Sequence, residues 1–164
     1  MENLSVFIRN AGKEDIVTFV KSDESYVFQL LELALTDQSQ SGWRAGWILA
    51  NVIDCNDQRV LERLDEIIEL IPKLPHSHQR EFLRIIQLME LTEEQDGVVF
   101  ALAVGLWEDL GKQGSVRYNA FKCILKIADK HPELKNEIHL WSAPYYLDSL
   151  SKGIRHSIVK MLET

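Results

Sequence analysis

Between residues 24 and 37 the uncharged polar and acidic side chains of the helix body keep to a stripe. Gln29, Glu32 and Thr36 fall at i, i+3 and i+7, and Tyr26, Val27, Leu30, Leu31, Leu33, Ala34 and Leu35 occupy most of the remaining positions. A 3.6-residue period with so narrow a polar face predicts a helix packed on most sides. Comparable stretches recur along the chain. Four of them begin near an arginine that opens an apolar run, Arg44, Arg80, Arg117 and Arg155, at separations of 36, 37 and 38 residues. Near-constant spacing of this kind marks a stacked helical repeat, in which neighbouring units bury one another's apolar faces.

Each repeat resolves into two helices. The first of each pair is expected at about 24–37, 58–73, 93–110 and 133–148, and the second at about 41–54, 77–90, 115–130 and 151–163. The repeats then run over 24–54, 58–90, 93–130 and 133–163 of a single domain spanning 1–164, with residues 1–22 and one helix near 13–22 as a cap. Ser41, Ser77, Ser115 and Ser151 stand where a hydroxyl can cap the orphan amides of a second helix. Pro72, Pro75, Gly111 and Gly114 punctuate the turns. Pro144 lacks an amide proton and disfavours helix at Ala143. The fourth outer helix is therefore expected to break near Ser142 and restart with Pro144 in its first turn, exposing Tyr145 or Tyr146. The apolar face of the last helix, Ile154, Ile158, Met161 and Leu162, is expected to pack inward on the third repeat or to serve self-association.

The residues at these repeat positions resemble a known family. Val116-Arg117-Tyr118-Asn119-Ala120, preceded by Asp109, is similar to the Asp and Val-Arg-x-x-Ala signature of HEAT repeats and their armadillo-like relatives. The same slots hold Asp37 with Trp43-Arg44 in the first repeat and Asp148 with Ile154-Arg155 in the fourth. The second repeat departs from the pattern, because Lys73 and Leu74 stand where an aspartate would precede Gln79-Arg80. The resemblance implies an all-α, right-handed superhelix of about four HEAT-like helix pairs. It also implies that the second helices line the concave side and that Asp37, Arg44, Asp109, Arg117, Asp148 and Arg155 act structurally, as a ladder between neighbouring repeats.

Composition places the chain among globular domains: 164 residues suffice for a core, and 46% hydrophobic with 26% charged residues is neither disordered nor fibrous. Cys55 and Cys123 lie far apart with no metal-ligand spacing, as expected of a reduced, cytoplasmic chain. The first residues, Met1 to Ser5, lack the basic and apolar segments of a signal peptide. The longest apolar run, Val98 to Trp107, is ten residues, half of the roughly 20 that a membrane span requires.

Sorting charge by helix changes the picture more than the total of -7 does. The expected first helices carry fifteen acidic residues against four basic ones, and the second helices ten basic against five acidic. Arg80, Arg84 and Gln87 share one helical face, as do Asn119, Lys122 and Lys126, and Lys160 repeats the latter phase. If the second helices line a groove, it is basic. Such a groove suits a protein or peptide partner, most naturally an acidic one. The bland counterpart is a solvated face whose lysines interact with helix C-terminal dipoles, which suits Lys126, Lys130 and Lys160.

Sites for chemistry are scarce. Gly111-Lys112-Gln113-Gly114-Ser115 lacks the spacing of a phosphate loop, and no nucleophile elbow or dinucleotide turn occurs. His76 and His78 would need further converging ligands to hold a metal, so helix-start roles are expected for them. Glu62, Asp65, Glu66 and Glu69, with Arg59 and Arg63 interleaved, read as an ion-paired solvated face. Trp43, Trp47, Trp107 and Trp141 read as core anchors. The alternative function is a nucleic-acid-binding or DNA-glycosylase-like HEAT protein that stacks bases on such aromatics. An acidic chain is poorly suited to it, since phosphate binding draws on cationic residues. The expected function is thus a non-enzymatic scaffold with no cofactor, metal or membrane association.

Overall fold

The computed structural model describes residue 8, residues 12–21 and residues 23–163. The other residues, 1–7, 9–11, 22 and 164, include much of the expected N-terminal cap, which to that extent lies outside the described residues. All regular structure among the described residues is helical. The chain divides into two compact units, residues 1–90 and 91–164.

In the first unit, α1 (Lys13–Lys21) packs on α3 (Gln40–Val52), which forms a hairpin with α2 (Ser25–Thr36). Val27, Leu30, Leu31, Ala34 and Leu35 of α2 are all buried. Each fully buried valine or leucine side chain of this kind contributes about 1.5–3 kcal/mol. The hairpin turn is built by Asp37, whose carboxylate accepts from Ser39 N at 2.7 Å and Ser39 Oγ at 2.8 Å. Ser39 then caps α3 by accepting from Ser41 N at 3.2 Å. Gly42 is obligatory here, because a Cβ on it would overlap the backbone carbonyl of Asp37.

The expected helix 58–73 is divided. It runs as α4 (Gln58–Leu61), α5 (Leu64–Leu70) and a 3-10 turn Ile71–Lys73. At the break Arg63 leaves helical geometry, and its guanidinium binds both Glu66 and Glu32 of α2. The Glu32 contact is tertiary, so the local period could not reveal it. The buried stripe Val60, Leu64, Ile67, Ile68 and Ile71 nevertheless continues across the break. After it, α6 (His76–Gln87) packs against α3.

The second unit is built on the hairpin of α7 (Glu93–Glu108) and α8 (Gly114–Lys130). Thr92 and Gln95 close a reciprocal capping box at the start of α7, at 3.2 and 3.1 Å. A 3-10 turn, Pro132–Leu134, leads into α9 (Lys135–Trp141). The chain breaks at Ser142 and Ala143 and restarts as α10 (Pro144–Leu147) with Pro144 in its first turn, where its missing amide costs nothing. Tyr145 is 68% exposed beyond this break. The last helix, α11 (Lys152–Leu162), packs on α8 and buries Ile158 completely, while Val159 and Leu162 stay exposed.

Of the four expected caps, only Ser151 fills the role, accepting from Ile154 N at 3.4 Å. Ser41 lies inside α3 behind Ser39. Ser77 and Ser115 lie inside helices that follow Pro75 and Gln113, and neither of those residues offers a side-chain cap. Capping depends on which residue holds extended backbone angles just outside the helix, and a shift of one or two positions transfers the role.

Candidate partner-binding faces

Helix α6 carries the sequence Arg80-Glu81-Phe82-Leu83-Arg84, and the fate of its charges is set by packing. Glu81 is 1% exposed, and its Cβ faces Gly46 of α3, where an added Cβ would already stand in contact with it at 3.4 Å. Its carboxylate is not left alone. Oε1 accepts from Arg80 Nε at 2.7 Å and Oε2 from Arg84 Nη1 at 2.6 Å. Both guanidiniums remain part-exposed, and that of Arg80 lies 5.9 Å from the centroid of the Trp43 ring. Gln87, one turn further on, donates back to Leu83 O at 3.0 Å.

In the second unit the candidates separate. Lys122 and Lys126 are half-buried one turn apart on α8, with Lys122 Nζ 5.8 Å from the Tyr118 ring centroid. Lys160 is exposed on α11. Asn119 is only 7% exposed and donates from Nδ2 to Ser115 O at 2.8 Å, so it belongs to the interior and not to a solvent-facing groove. Its phase matched that of Lys122 and Lys126, but its shorter side chain ends at the helix surface.

The ladder residues take different partners. Arg44 donates from Nε to Ile8 O. Arg155 forms an ion pair with Asp148, Nη1 to Oδ1 at 3.1 Å. Arg117, 1% exposed, gives its whole fork to neutral oxygens: Nε to Trp107 O at 2.8 Å, Nη1 to Ser149 Oγ at 2.7 Å and Nη2 to Tyr146 O at 3.0 Å. Its guanidinium also stacks 4.7 Å from the Trp107 ring centroid. Burial pushes the Arg117 pKa below its ordinary value, and the nearby Asp109 carboxylate opposes that shift. Asp109 itself accepts from Gly111 N at 2.9 Å, closing the α7–α8 turn. Arg117 thus fastens the end of α7 to α10 and the turn after it.

A cluster that the sequence did not announce sits at the start of α7. Asp96, 2% exposed, holds Lys130 Nζ at 2.7 Å and His131 Nε2 at 3.1 Å, and Lys130 also donates to Leu91 O. Several cations of the second helices are therefore committed internally, so a count of charge by helix overstates the field available to a ligand. The signal for Glu81 was present in the sequence as an acid flanked by arginines at i-1 and i+3. Its burial was not, since that depends on Gly46 on another helix.

Four further features bear on chemistry and setting. Among the described residues no group of three or more His, Cys, Asp or Glu side chains converges as metal ligands would. His78 is buried, with Nε2 3.2 Å from Asp37 O and Nδ1 3.4 Å from Ser77 Oγ. Cys55 is exposed and Cys123 buried, both as free thiols. No helix among the described residues is long and apolar enough to cross a membrane.

Comparison with known proteins agrees with this architecture. The family model described as a HEAT repeat domain matches residues 1–164. No curated protein and no solved structure matches the chain. With a helical hairpin in each unit and a family match over residues 1–164, the chain belongs to the HEAT repeat domain family.

Proposed function

We propose that the chain is a non-enzymatic scaffold that binds an acidic protein or peptide on the cationic faces of its second helices, in a reducing, cytoplasmic setting. The family is one of helical-repeat scaffolds. The observation that carries the acidic preference is the pair Lys122 and Lys126. They lie at i and i+4 on α8 and keep surface exposure where Arg117 and Asn119, earlier on the same helix, are buried. Lys160, on the helix packed against α8, adds a third cation to that unit. Gathered lysines raise the local concentration of an anionic partner and speed its encounter.

The test is a titration of a fluorescein-labelled oligoglutamate peptide, followed by anisotropy at low and at physiological ionic strength. Lys122→Glu with Lys126→Glu is expected to weaken binding at least about tenfold with the melting temperature nearly unchanged. Undiminished binding by that double variant would remove the reading. Labelled DNA run in the same titration checks the nucleic-acid alternative, which requires tight, strongly salt-dependent binding.

A further inference from the structure

We propose that Trp43, Trp47, Arg80 and Arg84 form one anchor within the first unit, fitted to a partner segment that carries a carboxylate beside a large apolar side chain. The proposal rests on the acidic-partner reading above and names the chemistry that this part of it recognises.

The anchor begins with the buried carboxylate. Glu81 is held between two guanidiniums, so two cations share one anion and a net positive charge remains at the surface. The donors are also in excess. Arg80 uses Nε and Nη2, and Arg84 uses Nη1, all on Glu81; among the described residues Arg80 Nη1 and Arg84 Nε and Nη2 make no hydrogen bond. An incoming carboxylate supplies acceptors for these guanidinium donors. Pinning by Glu81 also holds each guanidinium in place before the ligand arrives, which lowers the ordering entropy lost on binding.

The apolar half of the anchor lies on the neighbouring helix. Trp43 and Trp47 stand one turn apart on α3, both part-exposed, and α3 packs directly on α6. Gly46 lies between them in sequence and faces the Cβ of Glu81, so the two helices approach closely there, and the Arg80 guanidinium lies 5.9 Å from the Trp43 ring centroid. Tryptophan and arginine are the side chains most enriched among residues that dominate binding energy, and lysine is depleted at interfaces. The face thus differs from that of Lys122 and Lys126, which offers charge without an apolar anchor of this size.

Three labelled pentapeptides test this by anisotropy: Glu-Glu-Phe-Glu-Glu, its glutamine counterpart Gln-Gln-Phe-Gln-Gln, and Glu-Glu-Ser-Glu-Glu. The first is expected to bind at least about tenfold more tightly than either of the others. Trp47→Ala and Arg84→Gln should each cost about tenfold for the first peptide, with Trp47→Phe recovering most of the loss. Arg84→Lys, which keeps the charge but not the planar fork, should also bind more weakly; it guards against a folding defect in Arg84→Gln, and thermal melts accompany every variant. Equal affinity for the three peptides, or wild-type affinity in Trp47→Ala and Arg84→Lys, would overturn the anchor. If those variants bind normally while Lys122→Glu with Lys126→Glu does not, the scaffold reading stands and the anchor falls. If no acidic peptide binds, both fall.

Discussion

The imidazole of His78 donates a hydrogen bond from Nε2 to the backbone carbonyl of Asp37, 3.2 Å away in the turn after α2. A carbonyl oxygen can only accept, so Nε2 carries the proton and Nδ1 accepts from the hydroxyl of Ser77. Burial disfavours the charged ring and holds the His78 pKa below its ordinary value of 6.5, against the opposing pull of the Asp37 carbonyl.

That shift gives stability a pH dependence of definite sign. The unfolded chain binds a proton more readily than the folded one, so the first unit should lose stability as pH falls below about 6.5, until the folded-state pKa is also passed. Above that window the contribution is complete. In His78→Gln, whose amide can still donate to Asp37 O, this acid sensitivity should be reduced. Urea midpoints at several pH values compare the two, and identical slopes would show that His78 is not the source.

The same Asp37 carbonyl predicts a contrast among glycines. Gly42→Ala must displace the turn and should cost about 3 kcal/mol, the upper end for overpacking. Gly97 and Gly105 lie inside α7, and a Cβ at either would meet nothing within 4 Å, so alanine there should stabilise by about 0.5–1 kcal/mol. Thermal melts should therefore shift downward for the first variant and upward for the other two.

Arg117→Lys keeps the charge but cannot reach three oxygens in one plane. It is expected to destabilise the second unit by about 2–3 kcal/mol. Amide hydrogen exchange should rise first around Tyr146 and Ser149, whose oxygens lose their donor. Uniform change across the chain would argue against this fastening role.

Asn56 is the one non-glycine residue with positive φ among the described residues, at 59°. Its amide nitrogen donates to Leu88 O, and its side-chain oxygen accepts from Glu90 N, which ties the turn after α3 to the turn after α6. Asn56→Ala should cost about 1–2 kcal/mol, through lost hydrogen bonding and left-handed backbone strain. Asn56→Gly removes only the hydrogen bond and should cost less. A larger loss for glycine in urea denaturation would contradict this assignment.

Local pattern made most of the helices legible. The expected second helices match α3, α6, α8 and α11 to within three residues at each end, because each has an apolar stripe bounded by prolines, glycines or short polar turns. The break at Ser142 was legible for the same kind of reason, since proline acts on its immediate neighbours. The break at Arg63 was not, because no proline or glycine marks it and one of its partners, Glu32, lies on another helix.

Side-chain fate followed the opposite rule. Helical phase placed Arg80 and Arg84 on one face, but could not show that Glu81 between them is buried beneath both. It placed Asn119 with Lys122 and could not show that the amide turns back to its own helix. It aligned Arg117 with Arg155, although one ends in neutral oxygens and the other in an ion pair.

By itself, then, the sequence determined the helical period and the family, because those depend on interactions within a few turns of chain. Tertiary structure alone decided which charges are buried and which cations stay at the surface. Those outcomes depend on burial and on hydrogen bonds to residues some thirty to forty positions away, such as Asp37 at His78 and Tyr146 at Arg117, and no local pattern carries that information.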